Sequence, residues 1–514
     1  MFPWSDRKKG PAGQRSGAGS SPARGRFIGG GEDLDSWASA RHSITRPLRW
    51  SSFMIRSASL VRVLVLFLTL LAGVWPGDAV FADEGIGVLE SFEPAGPSES
   101  GSCRIDGKDY VVGADAGLTV AGRSSSDESV PPVPVLGHLV RFEYALPDRE
   151  PLITAMQFLD FGPDSIQDGP HLMWKDEATA IMFTVVNGKV IRSEHEGVAE
   201  GDVLPTPSAT VSSVTVHAAS EPEKSSWPDV SRILAVSDLE GNRETFLSFL
   251  KGNGVVDAAG KWAWGDGHLV LNGDIVDRGD EVTELLWLIR RLESEAEQAG
   301  GRVHYVLGNH ESMVMAGDLR YIHPKYRFTT DRVGLSYDDL HGPTSELGRW
   351  LRNHNSVVRV GPFLFVHAGY SPQLDALGLE LDDINEAIRS GLGPPAWPPA
   401  GRKELRTGLI WHSQGPHWYR GYFPGHAANW GGRPTDEEIA AILERHGVEH
   451  IVVGHTVVDD VGWIDGRSEL IGIDVAWEDP TEAAGLRFDQ QGLRRVDGAG
   501  KGTPLIDRVP DLVE

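Results

Sequence analysis

Five short apolar runs, at 232–238, 269–274, 303–310, 363–367 and 450–455, each end in a residue able to bind a metal or a phosphate. Runs this short with sharp polar ends predict buried strands that deliver side chains to one edge of a sheet. Ligands of open α/β sheets gather at the carboxyl ends of the strands. The side chains so delivered are Asp238, Glu240, Asp274, Asp277, Arg278, Asn309, His310, His367 and His455. Carboxylates, imidazoles and an amide together suit a pair of divalent cations facing a phosphate.

The runs differ in how much they say. Asp238-Leu239-Glu240-Gly241-Asn242 puts two carboxylates on a strand-to-helix turn, but Asp and Gly at a strand end usually mark only a turn. Gly273-Asp274-Ile275-Val276-Asp277-Arg278-Gly279 says more. Asp274 has two oxygens with which to bridge two cations, Asp277 can accept the second N–H of a neighbouring imidazole, and the planar fork of Arg278 matches phosphate oxygens. The competing reading is a structural ion-pair cluster, which burial of so many charges makes costly. Gly308-Asn309-His310-Glu311 pairs an amide ligand with a candidate general acid. A lone histidine at a strand end is usually structural. His367 and His455, after three other ligand-bearing strand ends, are not alone.

Length and charge set the frame. The chain has 514 residues, room for two or three domains. Its net charge of −25 argues against a nucleic-acid binder held by a basic surface and leaves phosphate binding to local arginine and metal charge. Cys103 is the single cysteine, which excludes an intramolecular disulfide and Cys-rich metal sites; no structural role is expected of it.

Residues 1–62 carry eleven Lys/Arg against four Asp/Glu and too little apolar periodicity to fold. The twelve-residue apolar run 63–74 follows, then a small-residue end at Ala82 and acidic Asp83-Glu84. This pattern predicts a cleaved secretory signal, with a retained anchor as the alternative, and an exported, periplasmic or secreted mature protein without stable membrane association. Met54 is an alternative start. The expected organisation is a disordered extension and signal over 1–82, a linker over 83–135, a small antiparallel β module over 136–228 and a catalytic α/β domain over 229–514. Within the module, Asn187-Gly188 predicts a tight hairpin. Helices are expected over 243–250, 281–299 and 436–446, the second from its apolar spacing at Val282, Leu285, Leu286, Leu288, Ile289 and Leu292. The sixteen tryptophans read as packing rather than a sugar platform.

Taken together, the motifs resemble those of calcineurin-like metallophosphoesterases, in particular the protein-phosphatase branch. The Gly273–Gly279 and Gly308–Glu311 motifs match that family's GDxxDRG and GNHE without exception, and Phe365-Val366-His367-Ala368-Gly369 resembles its histidine loop. Trp418-Tyr419-Arg420-Gly421 resembles its second phosphate-binding arginine segment, and the stretch through Arg320-Tyr321 is similar to the Shewanella-like phosphatases. The resemblance covers about 231–480. It implies a β-sandwich flanked by helices, and two divalent metals, with Mn expected and Fe, Zn or Mg as alternatives. Asp238 and Asp274 would bind the first cation; Asp274, Asn309, His367 and His455 would bind the second. His310 would act with Asp277, and Arg278 and Arg420 would hold the phosphate. Arg320 either contributes or is a surface residue. One departure stands out: Glu240 occupies the position of the family's histidine in DxHG. It either ligates the first cation, favouring a harder ion, or leaves that site partly empty. The implied reaction is phosphomonoester hydrolysis by a metal-bridging hydroxide on a phosphoprotein or small phosphoester. A phosphodiesterase or nucleotide hydrolase on the same core, or a non-catalytic binding module, are the alternatives.

Overall fold

The computed structural model describes residues 83–93, 100–120, 138–145, 152–217, 222–393 and 405–508. The basic extension, the signal-like run and the proline-rich stretch before residue 136 lie outside the described residues. No helix among the described residues is long and apolar enough to cross a membrane.

The C-terminal part of the described chain is a two-sheet sandwich. Fed by the order of the apolar runs, the chain forms β11 (Ser226–Trp227), β12 (Ile233–Val236), β13 (His268–Leu271), β14 (Arg302–Tyr305), β15 (Val357–Val360), β16 (Phe363–Val366) and β17 (His450–Val453). It finishes with β18 (Gly462–Ile464), β19 (Arg467–Gly472), β20 (Ala484–Asp489), β21 (Gly492–Asp497), β22 (Gly502–Thr503) and β23 (Asp507–Arg508). One sheet has the order β14-β13-β12-β20-β21-β22, the other β11-β15-β16-β17-β19-β18-β23. Strands β12, β13, β16 and β17 are buried along their whole length except the first residue of β17, as their unbroken apolar runs require. The five runs therefore end not at one edge of one sheet, as the sequence suggested, but at the carboxyl ends of two facing sheets. Ser226 and Trp227, within the expected bounds of the upstream β module, pair in parallel with Arg359 and Val360 as an edge strand of the sandwich.

Four helices matter to the site: α1 (Arg243–Gly252), α2 (Val282–Gln298), α3 (Asn309–Met315) and α4 (Pro324–Val333). Helix α2 follows its expected bounds, but is buried on more than one stripe: Thr283, Trp287 and Arg290 are buried along with the apolar face. A second layer covers it. Strands β6 (Asp168–Trp174), β7 (Thr179–Val186) and β8 (Lys189–Glu196) form an antiparallel sheet, closed at β7–β8 by the Asn187-Gly188 turn with φ of 50° and 70°. Trp287 Nε1 donates to the Pro170 carbonyl at 2.8 Å, Thr283 Oγ1 to Asp168 at 2.8 Å, and Trp174 Nε1 to Glu346 at 2.8 Å. Leu172, Ala180 and Met182 join the same hydrophobic core as the sandwich strands. The expected boundary near 229 is thus not a boundary in packing.

The remaining correction lies upstream. Strands β1 (Asp83–Glu93), β2 (Gly101–Ile105), β3 (Lys108–Val120), β4 (Leu139–Ala145) and β5 (Leu152–Phe158) close into a barrel of order β1-β2-β3-β5-β4. Part of the expected linker is therefore strand, and its β3 pairs in parallel with β5 of the module. Glycine content hid this. A Cβ at Gly85 would stand 2.6 Å from the Phe142 ring and one at Gly87 2.5 Å from Ile105, so the narrow interior needs glycine where composition suggests a loop. Cys103, of which no structural role was expected, packs in this core beside Leu89, Ile105 and Phe142; burial pushes its thiol up to about 11.

Candidate metal centre and phosphate cavity

The loops that leave β12, β13 and β17 at this end carry strained backbone. Nine non-glycine residues among the described ones have positive φ, and six of them are Asp238, Glu240, Asp274, Asp277, Arg278 and His455. Such conformations cost about 1–3 kcal/mol each and persist only where the surroundings impose them, typically at functional sites. The motif glycines follow from the same crowding. A Cβ at Gly308 would lie 2.1 Å from Asp274 Oδ1, and one at Gly454 2.4 Å from Asp238 Oδ2.

The loop after β13 hangs on one side chain. The buried carboxylate of Glu311 accepts from the backbone N–H of Gly308 at 2.7 Å, Ile275 at 2.8 Å and Asp274 at 3.1 Å, and from the Tyr305 hydroxyl at 2.9 Å. Asn272 spans the two sheets: its amide reaches the Val366 carbonyl at 3.2 Å, and its own carbonyl accepts from His367 Nδ1 at 2.9 Å. That bond leaves His367 Nε2 facing Asp274 Oδ2 at 3.0 Å and Asn309 Oδ1 at 3.0 Å.

Asp274, His367 and His455 are buried and offer ligand atoms all within 4.8 Å of one another. Burial opposes a charged imidazole at His367, but Asp274 and Asp238 outweigh it and lift the ring to about 10. Burial raises Asp238 to about 6, with Asp274 adding to the effect. His455 is pushed well below the ordinary histidine range by burial and then by Arg420, so its ring is neutral, and its buried Nε2 has no hydrogen-bond partner. Neutral imidazole, crowded carboxylates and an orphaned nitrogen are what a cation-binding centre presents, so the donor set fits divalent metal.

His310 stands beside this centre. Its Nδ1 lies 2.7 Å from Asp277 Oδ2 and its Nε2 3.7 Å from Asp274 Oδ2. Burial disfavours its cation, yet Asp274 and Asp277 raise it above the ordinary histidine value. A cavity of about 540 Å³ opens above, lined by Asp238, Glu240, Asp274, Arg278, His310 and Arg420 among others. Arg278 is in close contact with Glu240 and lies over the Tyr321 ring at 5.6 Å. Arg420 reaches Thr456 Oγ1 at 3.5 Å. Arg320 also lines the cavity, but Asp318 holds its fork through two 2.8 Å bonds. A second cavity, about 570 Å³, lies against the hairpin of β9 (Val203–Pro205) and β10 (Ser213–Thr215); its Arg243, Arg290 and Arg291 are each paired with a glutamate.

Nine of the ten predicted site residues thus gather around one cavity or directly against its wall, and Asp277 sits behind His310. Glu240 is the residue whose partner differs from expectation, since it faces Arg278. Sequence reasoning missed Asp474, a buried carboxylate on the cavity wall that burial and Asp238 push well above the usual range. The signal was present: Leu470-Ile471-Gly472-Ile473-Asp474 is a sixth apolar run with a carboxylate end.

The sequence model of the calcineurin-like phosphoesterase family matches residues 231–459. Shewanella-like protein phosphatase 2 of Arabidopsis thaliana is 38% identical over 94 residues, which is 18% of this chain and 24% of the relative. Shewanella-like protein phosphatase 1 of Plasmodium berghei is 30% identical over 94 residues, 18% of this chain and 26% of the relative. The match spans about a quarter of the length of these two curated relatives. A crystal structure of a cold-active protein-tyrosine phosphatase of a psychrophilic Shewanella species superposes with a TM-score of 0.61 at 28% identity, covering 66% of this chain and 100% of that one.

Proposed function

From a chain whose residues 231–459 belong to the calcineurin-like phosphoesterase family, we propose a phosphomonoesterase that uses two divalent cations, Mn²⁺ by preference, on phosphorylated protein side chains or small phosphate esters. One observation carries the proposal: His310, backed by Asp277, opens onto the same cavity as the Asp274–His455 cluster and the guanidinium groups of Arg278 and Arg420. A proton donor, a cation centre and anion-binding forks around one volume suit cleavage of a phosphate ester.

Asp238 and Asp274 would hold one cation, and Asp274, Asn309, His367 and His455 the other. Bound there, the pair neutralises phosphate charge and lowers the pKa of water. The protein's own groups do the rest. Arg278 and Arg420 grip the non-bridging oxygens and answer the charge that builds on them. Asp277 accepts from His310 Nδ1, which leaves Nε2 to protonate the departing oxygen. Asn272 fixes the His367 ring so that Nε2 faces the cluster. Glu240 reaches a cation only by releasing Arg278, so its two roles compete.

The purified protein should hydrolyse p-nitrophenyl phosphate faster than its bis ester. Chelation should stop the reaction, and Asp274→Asn should lower kcat by at least about a hundredfold. Preference for the bis ester would make it a phosphodiesterase, and two bound cations without turnover a binding module. Phosphotyrosine peptides are the first panel to try, because the Shewanella structure is that of a protein-tyrosine phosphatase. The net charge of −25 supports a substrate other than nucleic acid. We also propose export, on the strength of the run 63–74 and its small-residue end; sequencing of the mature N-terminus, expected near residue 83, tests it.

A further inference from the structure

Strand β19 delivers a residue to the centre that none of the recognised motifs contains. Gly472 of β19 pairs in parallel with Val453 of β17, so Asp474 and His455 each follow the paired position by two residues and emerge side by side. The loop that carries Asp474 is fastened on three sides. Ile473 N–H donates to the Val453 carbonyl at 2.9 Å, Val458 N–H to the Asp474 carbonyl at 2.9 Å, and Trp477 Nε1 to the Ser237 carbonyl, next to Asp238, at 2.8 Å.

The Asp474 residue is 6% exposed, lines the same cavity as Asp238 and Asp274, and its carboxylate makes no hydrogen bond or ion pair among the described residues. A carboxylate withdrawn from water without a partner is unfavourable unless a positive charge faces it. The positive charges that reach Asp474 are those of His367 and Arg278, and each is in direct contact with another carboxylate, His367 with Asp274 and Arg278 with Glu240. The orphaned Nε2 of His455, on the neighbouring strand end, is a second ligand atom without a protein partner in the same place.

We propose that Asp474 is an oxygen ligand of the first cation, beside Asp238 and Asp274, and that Glu240 stays paired with Arg278. This rests on the two-cation reading above. The first position then has only carboxylate oxygens from the protein and favours a hard ion such as Mg²⁺ or Mn²⁺, whereas His367, His455 and Asn309 give the second position a mixed nitrogen and oxygen set.

The test uses the full chain stripped by chelator and titrated with Mn²⁺ by calorimetry, alongside Asp474→Asn and Glu240→Gln. Asp474→Asn should weaken one of the two Mn²⁺ sites by about tenfold or more and leave the other unchanged. Stripped Asp474→Asn should unfold at the wild-type temperature or above, because a buried carboxyl without a hydrogen-bond partner is gone. Glu240→Gln should keep both affinities. Two wild-type Mn²⁺ sites in Asp474→Asn would overturn the proposal. So would a stripped Asp474→Asn that unfolds at lower temperature, since the carboxylate would then have a structural partner. Loss of one site in Glu240→Gln but not in Asp474→Asn would assign the oxygen to Glu240. Fewer than two cations on the wild-type chain would defeat the two-cation reading itself.

Discussion

His310 and Asp277 divide the work of one proton between a donor and its support. Asp277 is fully enclosed and points one oxygen at His310 Nδ1, so only Nε2 is left for chemistry. Protonation of the leaving oxygen matters most when that oxygen is basic. His310→Gln should therefore slow hydrolysis of an alkyl phosphate such as phosphoserine by about 10²–10⁴-fold, and that of p-nitrophenyl phosphate far less. Equal losses on both substrates in steady-state assays would deny His310 the acid role. At this scale the sequence was informative wherever a residue type and a motif spacing agreed, as at Asp274, Asn309 and His367. It was uninformative about partners. Nothing in Ser237-Asp238-Leu239-Glu240 announces that Glu240 meets Arg278 across 38 positions, because that contact depends on two left-handed turns packed against each other. Asp474 went unread because its run carries no histidine or flanking motif to mark it.

Among the elements, the β13–α2 loop and α3 act as one unit joined by Glu311. Its carboxylate takes N–H groups from both segments, and a neutral amide at that position can satisfy fewer of them. Glu311→Gln should destabilise the protein by roughly 3 kcal/mol, since charge-assisted hydrogen bonds contribute about 1.5–3 kcal/mol each. Mn²⁺ affinity should fall with it as Asp274 loses its register. An unchanged melting temperature and metal titration would show that the loop holds without it. Strand positions were legible because fully buried short strands have no polar face to blur their ends. Which sheet each strand joins was not legible: alternation and length are local, whereas β12 and β16 meet only through the fold.

Taken whole, the molecule wraps α2 between the sandwich and the β6–β8 sheet. A truncated chain starting at residue 222 strips one layer from Trp287 and Leu288, 5% and 6% exposed in the intact fold. Their cover is worth roughly 3–6 kcal/mol. Such a chain should aggregate or melt well below the chain that starts at residue 83, as followed by circular dichroism. A second global property comes from Glu293, which burial pushes up to about 8 from an ordinary 4.5; it accepts from Trp350 Nε1 at 2.7 Å and lies 3.5 Å from His354, itself kept neutral by burial. The folded protein keeps a proton there that the unfolded chain releases. Its contribution is fully present below 4.5 and is lost as pH rises toward about 8, with a limiting slope of about 1.4 kcal/mol per pH unit. Urea unfolding across that range should show the decline, and Glu293→Gln should flatten it. Neither property was readable in the sequence, since a glutamate in a helical pattern reads as a solvated face.

Asn272 bridges the sheets where the cluster forms, and the cluster itself takes Asp274 from one sheet and His367 and His455 from the other. Any cation seated there rivets the two halves of the sandwich together. Chelation should consequently be felt far from the cavity, as faster amide exchange along both inner strands, and prying the halves apart should eject the ions before any strand frays.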